Sequence, residues 1–184
     1  MLDLTNVRKK FPGLARDAIF LDNPAGTQVV QSAIDRMNEY LVKTNANHGG
    51  AFATSQESDQ VIDTARQAVA DFLHASRPEE IVFGPNMTTL TLHISRSIAR
   101  RLDPGDTIVV TRLDHDANIT PWTLIAEDLG CKVEWVDFDV EDGSLKLETL
   151  ERALEKKPKL VAVGYASNAL GTINPVKQIT EMAH

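Results

Sequence analysis

The chain changes rhythm near residue 75. Before that point, Val29 to Lys43 carries apolar residues at Val30, Ala33, Ile34, Met37 and Leu41, spaced as on one face of a helix. Ile19–Asp22 is a short apolar run ending in Asp22-Asn23-Pro24, which reads as a strand entering a turn. Asn45 to Ala53 is polar and contains glycine, and reads as a loop. Thr54 and Glu57 have the spacing of a capping box, in which two side chains satisfy free amides at a helix start. Val61, Ala65, Ala68, Phe72 and Leu73 follow on one predicted helix face.

After residue 75, short apolar runs alternate with helical stripes. Ile81–Phe83, Thr107–Thr111, Lys132–Phe138 and Leu160–Tyr165 are the predicted strands. A helix is predicted from Asn86, with Leu90, Ile94, Ser97 and Ile98 inward. Another covers Asp116 to Asp128 with Ile119, Trp122 and Ile125, and a third is built on Leu147, Leu150 and Leu154. Asp139 to Ser144 reads as a turn. Pro175, suited to a first helical turn, opens a last helix carrying Ile179, Met182 and Ala183. Four strands alternating with helices predict an α/β fold with a mostly parallel sheet and helices packed on its faces. Residues 1–75 read as an N-terminal arm with helices, and 76–184 as the body that carries the sheet. The last stripe reaches His184 without a capping Gly or Pro, and four strands alone leave sheet edges uncovered, so further sequence is expected.

Charge and composition remove several function classes. The formal net charge is −7, and no basic stripe is present, so nucleic acid is not an expected partner. Met1 to Phe11 has no continuous apolar run, so no secretory leader is expected there. No stretch approaches the roughly 18–20 apolar residues of a membrane span, so no membrane partner is expected. The single cysteine, Cys131, excludes an internal disulfide and fits a reducing compartment; the expected location is cytoplasmic. Cys131 stands between a helix end and a strand, a place for a small buried residue rather than an activated thiolate.

In open α/β sheets ligands gather at the carboxyl ends of the strands. The segments there are Gly84-Pro85-Asn86-Met87-Thr88-Thr89, Asp114-His115-Asp116-Ala117-Asn118 and Ser167-Asn168-Ala169-Leu170-Gly171-Thr172. The first opens onto a helix, so the amides of Met87 and Thr88, with the Thr88 hydroxyl, form a candidate anion site. The alternative is that Asn86 is simply a helix N-cap. It is neither a Walker motif nor a dinucleotide fingerprint. His115 is placed to stack on a planar ring or to move a proton, or else is a surface histidine. Asp114 and Asp116 flank it, but no second histidine stands at ligand spacing, so no metal is expected. Asn168 either aims its amide into the cleft or caps a turn.

These segments together resemble the cysteine desulfurase group of the aminotransferase class V family. Phe20-Leu21-Asp22-Asn23-Pro24-Ala25-Gly26-Thr27 resembles that family's opening "LDNAATT", and Asn45-Ala46-Asn47-His48-Gly49-Gly50 resembles "NANVHRG" with one residue deleted. Pro78-Glu79-Glu80-Ile81-Val82-Phe83 is similar to the string before the family's phosphate loop. Asp114-His115-Asp116-Ala117-Asn118-Ile119-Thr120-Pro121-Trp122 resembles "EHHANIVPW". Leu160-Val161-Ala162-Val163 through Ser167-Asn168-Ala169-Leu170-Gly171-Thr172-Ile173-Asn174-Pro175 resembles "LVAVTHVSNVLGTVNP". The matches keep their order from about residue 19 to the end.

The resemblance implies a three-layer α/β/α large domain over 76–184, incomplete within this chain, and an arm over 1–75 belonging to a small domain and dimer region. It implies pyridoxal 5'-phosphate as cofactor, a small amino acid as substrate and a homodimer at full length. Met87 and Thr88 would hold the phosphate. His115 would stack on the ring as the catalytic residue, Asn168 would bond its phenolic oxygen, and Ala25, Gly26 and His48 would lie near the substrate. The family's cofactor-bearing lysine, its reactive cysteine loop and its carboxylate-binding arginine belong to sequence beyond 184; no lysine here stands in a Ser-Gly-His-Lys context.

The family's Gly-Thr-Thr is Asn86-Met87-Thr88 here, its second loop histidine is Asp116, its "NVHRG" arginine is Gly49, and Pro24 and Gly26 alter the opening. These departures leave kynureninase-, selenocysteine lyase- and epimerase-like activities as alternatives on the same scaffold. From other classes, the alternatives are a cofactor-free half-enzyme acting as an interaction or regulatory module, and a flavodoxin-like nucleotide binder.

Overall fold

The computed structural model describes residues 2–184. The chain divides into two compact units, Met1–Phe83 and Gly84–His184.

The first unit is helical. Helices α1 (Leu4–Lys9), α2 (Gln31–Glu39) and α3 (Ala53–Leu73) are joined by 3-10 turns at Pro12–Ala15 and Asn23–Ala25, and by a π-turn, Tyr40–Thr44, that extends α2. The helix expected over Val29 to Lys43 therefore forms, but Met37 and Leu41 of its stripe are exposed. The capping box does not form, since Phe52 stands at the N-cap and Thr54 lies inside α3. The buried face of α3 is also rotated from the expected one. Ser55, Ser58 and Ala70 are buried, whereas Phe72 is 82% exposed. The reason is polar. The Ser55 hydroxyl donates to the Asn47 carbonyl at 2.5 Å and accepts the Gly50 amide at 2.7 Å. The Ser58 hydroxyl donates to the Ala46 carbonyl at 3.2 Å and bonds the Tyr40 hydroxyl at 2.7 Å. Backbone groups of the 45–50 loop need partners once packed against a helix, and serine supplies them where leucine could not.

Ile81–Phe83 is not a strand. It follows a 3-10 turn, Pro78–Glu80, and pairs with nothing among the described residues. Val82 is 72% exposed, so the apolar run finds neither a ladder partner nor a core. Ile19–Asp22 likewise forms no strand, although the turn after it is present at Asn23–Ala25.

The second unit carries a parallel sheet of three strands, not four: β1 (Thr107–Thr111), β2 (Lys132–Val136) and β3 (Leu160–Val161), in the order β2-β1-β3. Thr107 stands opposite Lys132 and Ile108 opposite Leu160. Every residue of the central strand is buried, which explains its continuous Ile-Val-Val run in place of an alternating one. Ile108 and Val110 face one core with Trp122, Ile125 and Ala126 of α5 (Thr120–Leu129), onto which Ile98 and Ala99 at the end of α4 (Met87–Ile98) also pack. Val109 faces the other with Leu150 and Ala153 of α6 (Leu147–Leu154) and Ile179 of α7 (Val176–Ala183). Helices on both faces make the three layers of the expected α/β/α arrangement.

In α4 the buried positions are Thr91 and Ser95, with Leu90 and Ile98 half-buried, while Ile94 and Ser97 are exposed. Their hydroxyls donate to the helix carbonyls of Met87 and Leu92, so they enter the interface without leaving an unpaired donor. Helix α5 ends on Gly130 at φ +71, the left-handed residue that lets the Cys131 amide return to the Ala126 carbonyl at 2.8 Å. Ile125 is fully buried between α5 and the sheet. Ile125→Ala is expected to destabilise the second unit by about 2–5 kcal/mol, lowering the urea midpoint with an unchanged m-value. A loss under 1 kcal/mol would contradict this account of the core.

Candidate active site

The site is assembled where β1 and β3 leave the sheet. After β1 the chain runs Arg112-Leu113-Asp114-His115 into a 3-10 turn, Asp116–Asn118, that leads to α5. The Asp114 carboxylate organises this exit. Its Oδ2 accepts the Thr111 hydroxyl at 2.7 Å and the Gly164 amide at 2.9 Å, and its Oδ1 accepts the Asn118 side-chain amide at 3.3 Å. Asn118 in turn accepts the Trp122 indole N–H at 3.1 Å. A chain of hydrogen bonds thus runs from the buried α5 face to the exit of β3. The Gly164 peptide is held on its other side too, because the Asn174 amide donates to its carbonyl at 2.8 Å. These bonds explain why β3 stops at Val161 when an extended run to Tyr165 was expected. Beyond the Ala162 amide, which still donates to Val109 at 2.8 Å, both backbone groups of Gly164 are taken by side chains, and the Tyr165 carbonyl accepts the Asn174 amide at 2.8 Å.

His115 caps the 3-10 turn, its Nδ1 accepting the Ala117 amide at 3.0 Å. Nδ1 must then be bare, so the neutral ring carries its proton on Nε2 and offers a donor there. The ring is exposed. Asn168 stands at the exposed tip of the loop between Ala166 and Ile173, which form an antiparallel bridge. The loop is tight. The Ser167 amide donates to Thr172 at 2.9 Å, and Gly171, at φ +77, donates to Ser167 at 3.0 Å. Since β1 and β3 are parallel and joined through Asp114 and Gly164, His115 and Asn168 lie beyond the same end of the sheet.

Met87 and Thr88 are the first two residues of α4. Asn86 is the N-cap, its side chain accepting the Thr89 amide at 2.9 Å. Among the described residues the amides of Met87 and Thr88 have no acceptor, and both side chains are exposed. The capping and anion-site readings are therefore compatible: the cap takes the third amide and leaves two. Helix α4 packs on the Asp116–Asn118 turn and on α5, and Arg96 near its far end pairs with Asp128 near the far end of α5 at 2.5 Å. That pairing aligns the two helices, so the start of α4 lies toward the turn that follows His115. Two free amides at a helix start, backed by threonine hydroxyls, fit a phosphate group chemically, and an exposed imidazole fits the face of a planar ring.

The remaining expected residues belong to the first unit. Ala25 ends the 3-10 turn Asn23–Ala25 and Gly26 follows it; both are exposed. His48 bonds Asp59 of α3, Nδ1 to Oδ1, at 2.8 Å, and the Gly49 amide donates to the other carboxylate oxygen at 3.2 Å. These bonds hold the Asp59 carboxyl below its usual range, the His48 contact contributing most. Cys131 donates to the Asp103 carbonyl at 3.4 Å. Burial, then the nearby Asp106 and Asp103, push its thiol up, which suits an inert residue. No group of three or more His, Cys, Asp or Glu side chains among the described residues is placed to hold a metal. No helix among them is long and apolar enough to cross a membrane.

Sequence reasoning missed Asp114, Gly164, Asn174 and Asp59 as structural determinants. From the sequence, Asp114 is only a flank of His115. A carboxylate three residues after a strand threonine is the available signal, since that spacing lets the threonine hydroxyl donate to the carboxylate while accepting the aspartate's own amide, here at 3.1 Å. At Gly164 an added Cβ would meet Asp114 Oδ1 at 2.3 Å, and that oxygen is tethered rather than free to swing away. Gly164→Ala is expected to cost about 1–3 kcal/mol by overpacking. In an Asp114→Ala background, itself destabilised by about 1–3 kcal/mol, the added methyl should cost much less. Additive losses in the double-mutant cycle would contradict the direct contact.

The aminotransferase class-V family profile matches residues 19–184. A probable cysteine desulfurase of Halalkalibacterium halodurans is 35% identical over 97% of this chain and 45% of its own length. An aminotransferase-like protein of Gibberella zeae is 35% identical over 98% of this chain and 46% of its own. The apo structure of a cysteine desulfurase from Thermococcus onnurineus superposes with a TM-score of 0.90 at 33% identity, covering all of this chain and 45% of the other. The chain spans about half the length of the curated relatives it matches. With the sheet, the loop motifs and the profile in agreement, the chain belongs to the aminotransferase class-V family.

Proposed function

We propose that this chain supplies the phosphate-binding and ring-contacting part of a pyridoxal-phosphate enzyme of the cysteine desulfurase type, acting on a small amino acid. The observation that carries the reading is the pair of unpartnered amides, Met87 and Thr88, at the start of α4, on the side of the turn that follows His115. In this reading the two amides and the Thr88 hydroxyl bind the phosphate. His115 lies against the ring, with its Nε2–H available to a substrate group, and the Asn168 amide bonds the phenolic oxygen. Ala25, Gly26 and His48 contact the substrate. Pyridoxal phosphate, when bound, supplies the electron sink, and the protein orients it and tunes it. The changes at Pro24, Gly26, Gly49 and Asp116 set this chain apart from the family's usual motifs, so lyase- or epimerase-like use of the same scaffold is kept as the second reading.

The complete protein is proposed to be a cytoplasmic homodimer. Exposed Phe72, Leu73 and Val82 on the first unit, and Val140 and Leu170 on the second, support an assembled state.

Met87→Pro tests the phosphate site by removing one amide N–H, at the cost only of an exposed side chain. Proline is favoured at the first helical position, and Asn86, at φ −169 and ψ 167, already has the extended backbone that precedes proline. The variant should keep wild-type stability and bind pyridoxal phosphate more weakly by about 1.5–3 kcal/mol, a bond to a charged group. Pyridoxal, which lacks the phosphate, should bind both proteins alike. Unchanged affinity for pyridoxal phosphate would contradict the site, and wild-type protein that binds neither compound would favour the interaction-module alternative. No lysine of these residues stands in a Ser-Gly-His-Lys context. Borohydride treatment with the cofactor is therefore expected to give scattered lysine labelling, and a stoichiometric adduct at one lysine would contradict that.

A further inference from the structure

We propose that Asp59 is a positioning residue that makes His48 a hydrogen-bond acceptor toward the ammonium of a small amino acid bound in the first unit. The proposal rests on the reading of His48 as substrate-contacting and adds to it the tautomer that faces the ligand and the residue that sets it. An ionised carboxylate only accepts hydrogen bonds. The Asp59 contact at 2.8 Å therefore requires the proton of neutral His48 to sit on Nδ1, leaving a lone pair on Nε2. His115 has the opposite arrangement, because a main-chain amide occupies its Nδ1. The two histidines thus differ although their residue type is the same: one presents an acceptor, the other a donor.

The grip on His48 is built from two sides. Asp59 also takes the Gly49 amide at 3.2 Å, and Gly49 sits at φ +72, so the carboxylate fixes both the ring and the turn that carries it. Asp59 itself is one helical position from Ser58, whose hydroxyl holds the Ala46 carbonyl, and the loop is anchored again through Ser55. His48 then lines a hollow with Arg66 and Glu79 and the apolar Ile62, Ile81 and Phe83. Arg66 is a counter-charge for a carboxylate, Glu79 for an ammonium, and the apolar wall for a short side chain. That combination matches a small zwitterion. The ligand's ammonium would donate a hydrogen bond to the His48 Nε2 lone pair, which Asp59 keeps free by holding the ring proton on Nδ1.

Two-bond ¹⁵N–¹H spectra of the wild-type chain, taken above the usual imidazole range, read the tautomer without any substitution. The expected result is His48 protonated on Nδ1 and His115 on Nε2, with Asp59→Ala moving the His48 proton to Nε2. L-Alanine, an amino acid without a leaving group, should shift the His48 Nε2 resonance. Its dissociation constant should rise roughly tenfold in Asp59→Ala, equivalent to about 1.4 kcal/mol, and recover in Asp59→Glu. A wild-type His48 protonated on Nε2 overturns the positioning role of Asp59, whether or not the variants fold. The expected tautomer with no response to L-alanine leaves that role standing and overturns the amino acid as the ligand, and with it the substrate reading of His48.

Discussion

The Asp114–Gly164 hydrogen bond is the constraint on which the second unit's functional end depends. A parallel sheet leaves its strands pointing the same way but says nothing about where the chain goes after each one. Here the Asp114 carboxylate, leaving the central strand, accepts the amide of Gly164 leaving β3, and the Asn174 side-chain amide donates to the carbonyl of the same residue. The residue between must lack a side chain, because the carboxylate occupies the space a Cβ would need. One carboxylate thereby fixes the turn bearing His115, through Thr111 and Asn118, and the base of the loop bearing Asn168. A charge-assisted bond in a half-buried setting is stronger than a neutral one, and leaving its partner unpaired is costly, so the arrangement is rigid.

The same logic governs the first unit in a polar dialect. The loop carrying His48 has no hydrophobic anchor of its own. Its carbonyls and amides are met instead by Ser55, Ser58 and Asp59 along one turn of α3. A loop held by directional bonds can expose its functional side chain, whereas a loop held by apolar packing must turn its side chains inward. Exposed residues at both proposed positions, His48 and His115, follow from this.

Much of the body was legible. Thr107–Thr111 reads as a strand because a β-branched run buried on both faces admits no helix of that length, and Leu147, Leu150 and Leu154 read as a helix because their spacing is incompatible with a strand. Asn86 as a cap followed from residue type alone. What was not legible depended on partners distant in sequence. Ile81–Phe83 has the composition of a strand but no neighbouring strand, and Leu160–Tyr165 is cut short by side chains that stand near residues 114 and 174. Apolar periodicity misplaces the buried face of α3 because it is blind to serines that bury themselves to serve a loop. The motif residues were found through their ordered resemblance to a family. Asp114 and Asn174 lie inside the motif segments, but their holding roles, like those of Gly164 and Asp59, emerge only from the hydrogen bonds.

The central claim is that the start of α4 is built to receive a phosphate beside His115. The most direct test is a ¹H–¹⁵N titration of the chain with pyridoxal 5'-phosphate, with pyridoxal and inorganic phosphate as controls. The account predicts the largest downfield amide shifts at Met87 and Thr88 with both phosphate-bearing compounds, little change at Thr89, whose amide is already taken by Asn86, and ring-induced shifts around His115 with pyridoxal 5'-phosphate. Shifts scattered over surface lysines, with Met87 and Thr88 unmoved, would contradict it.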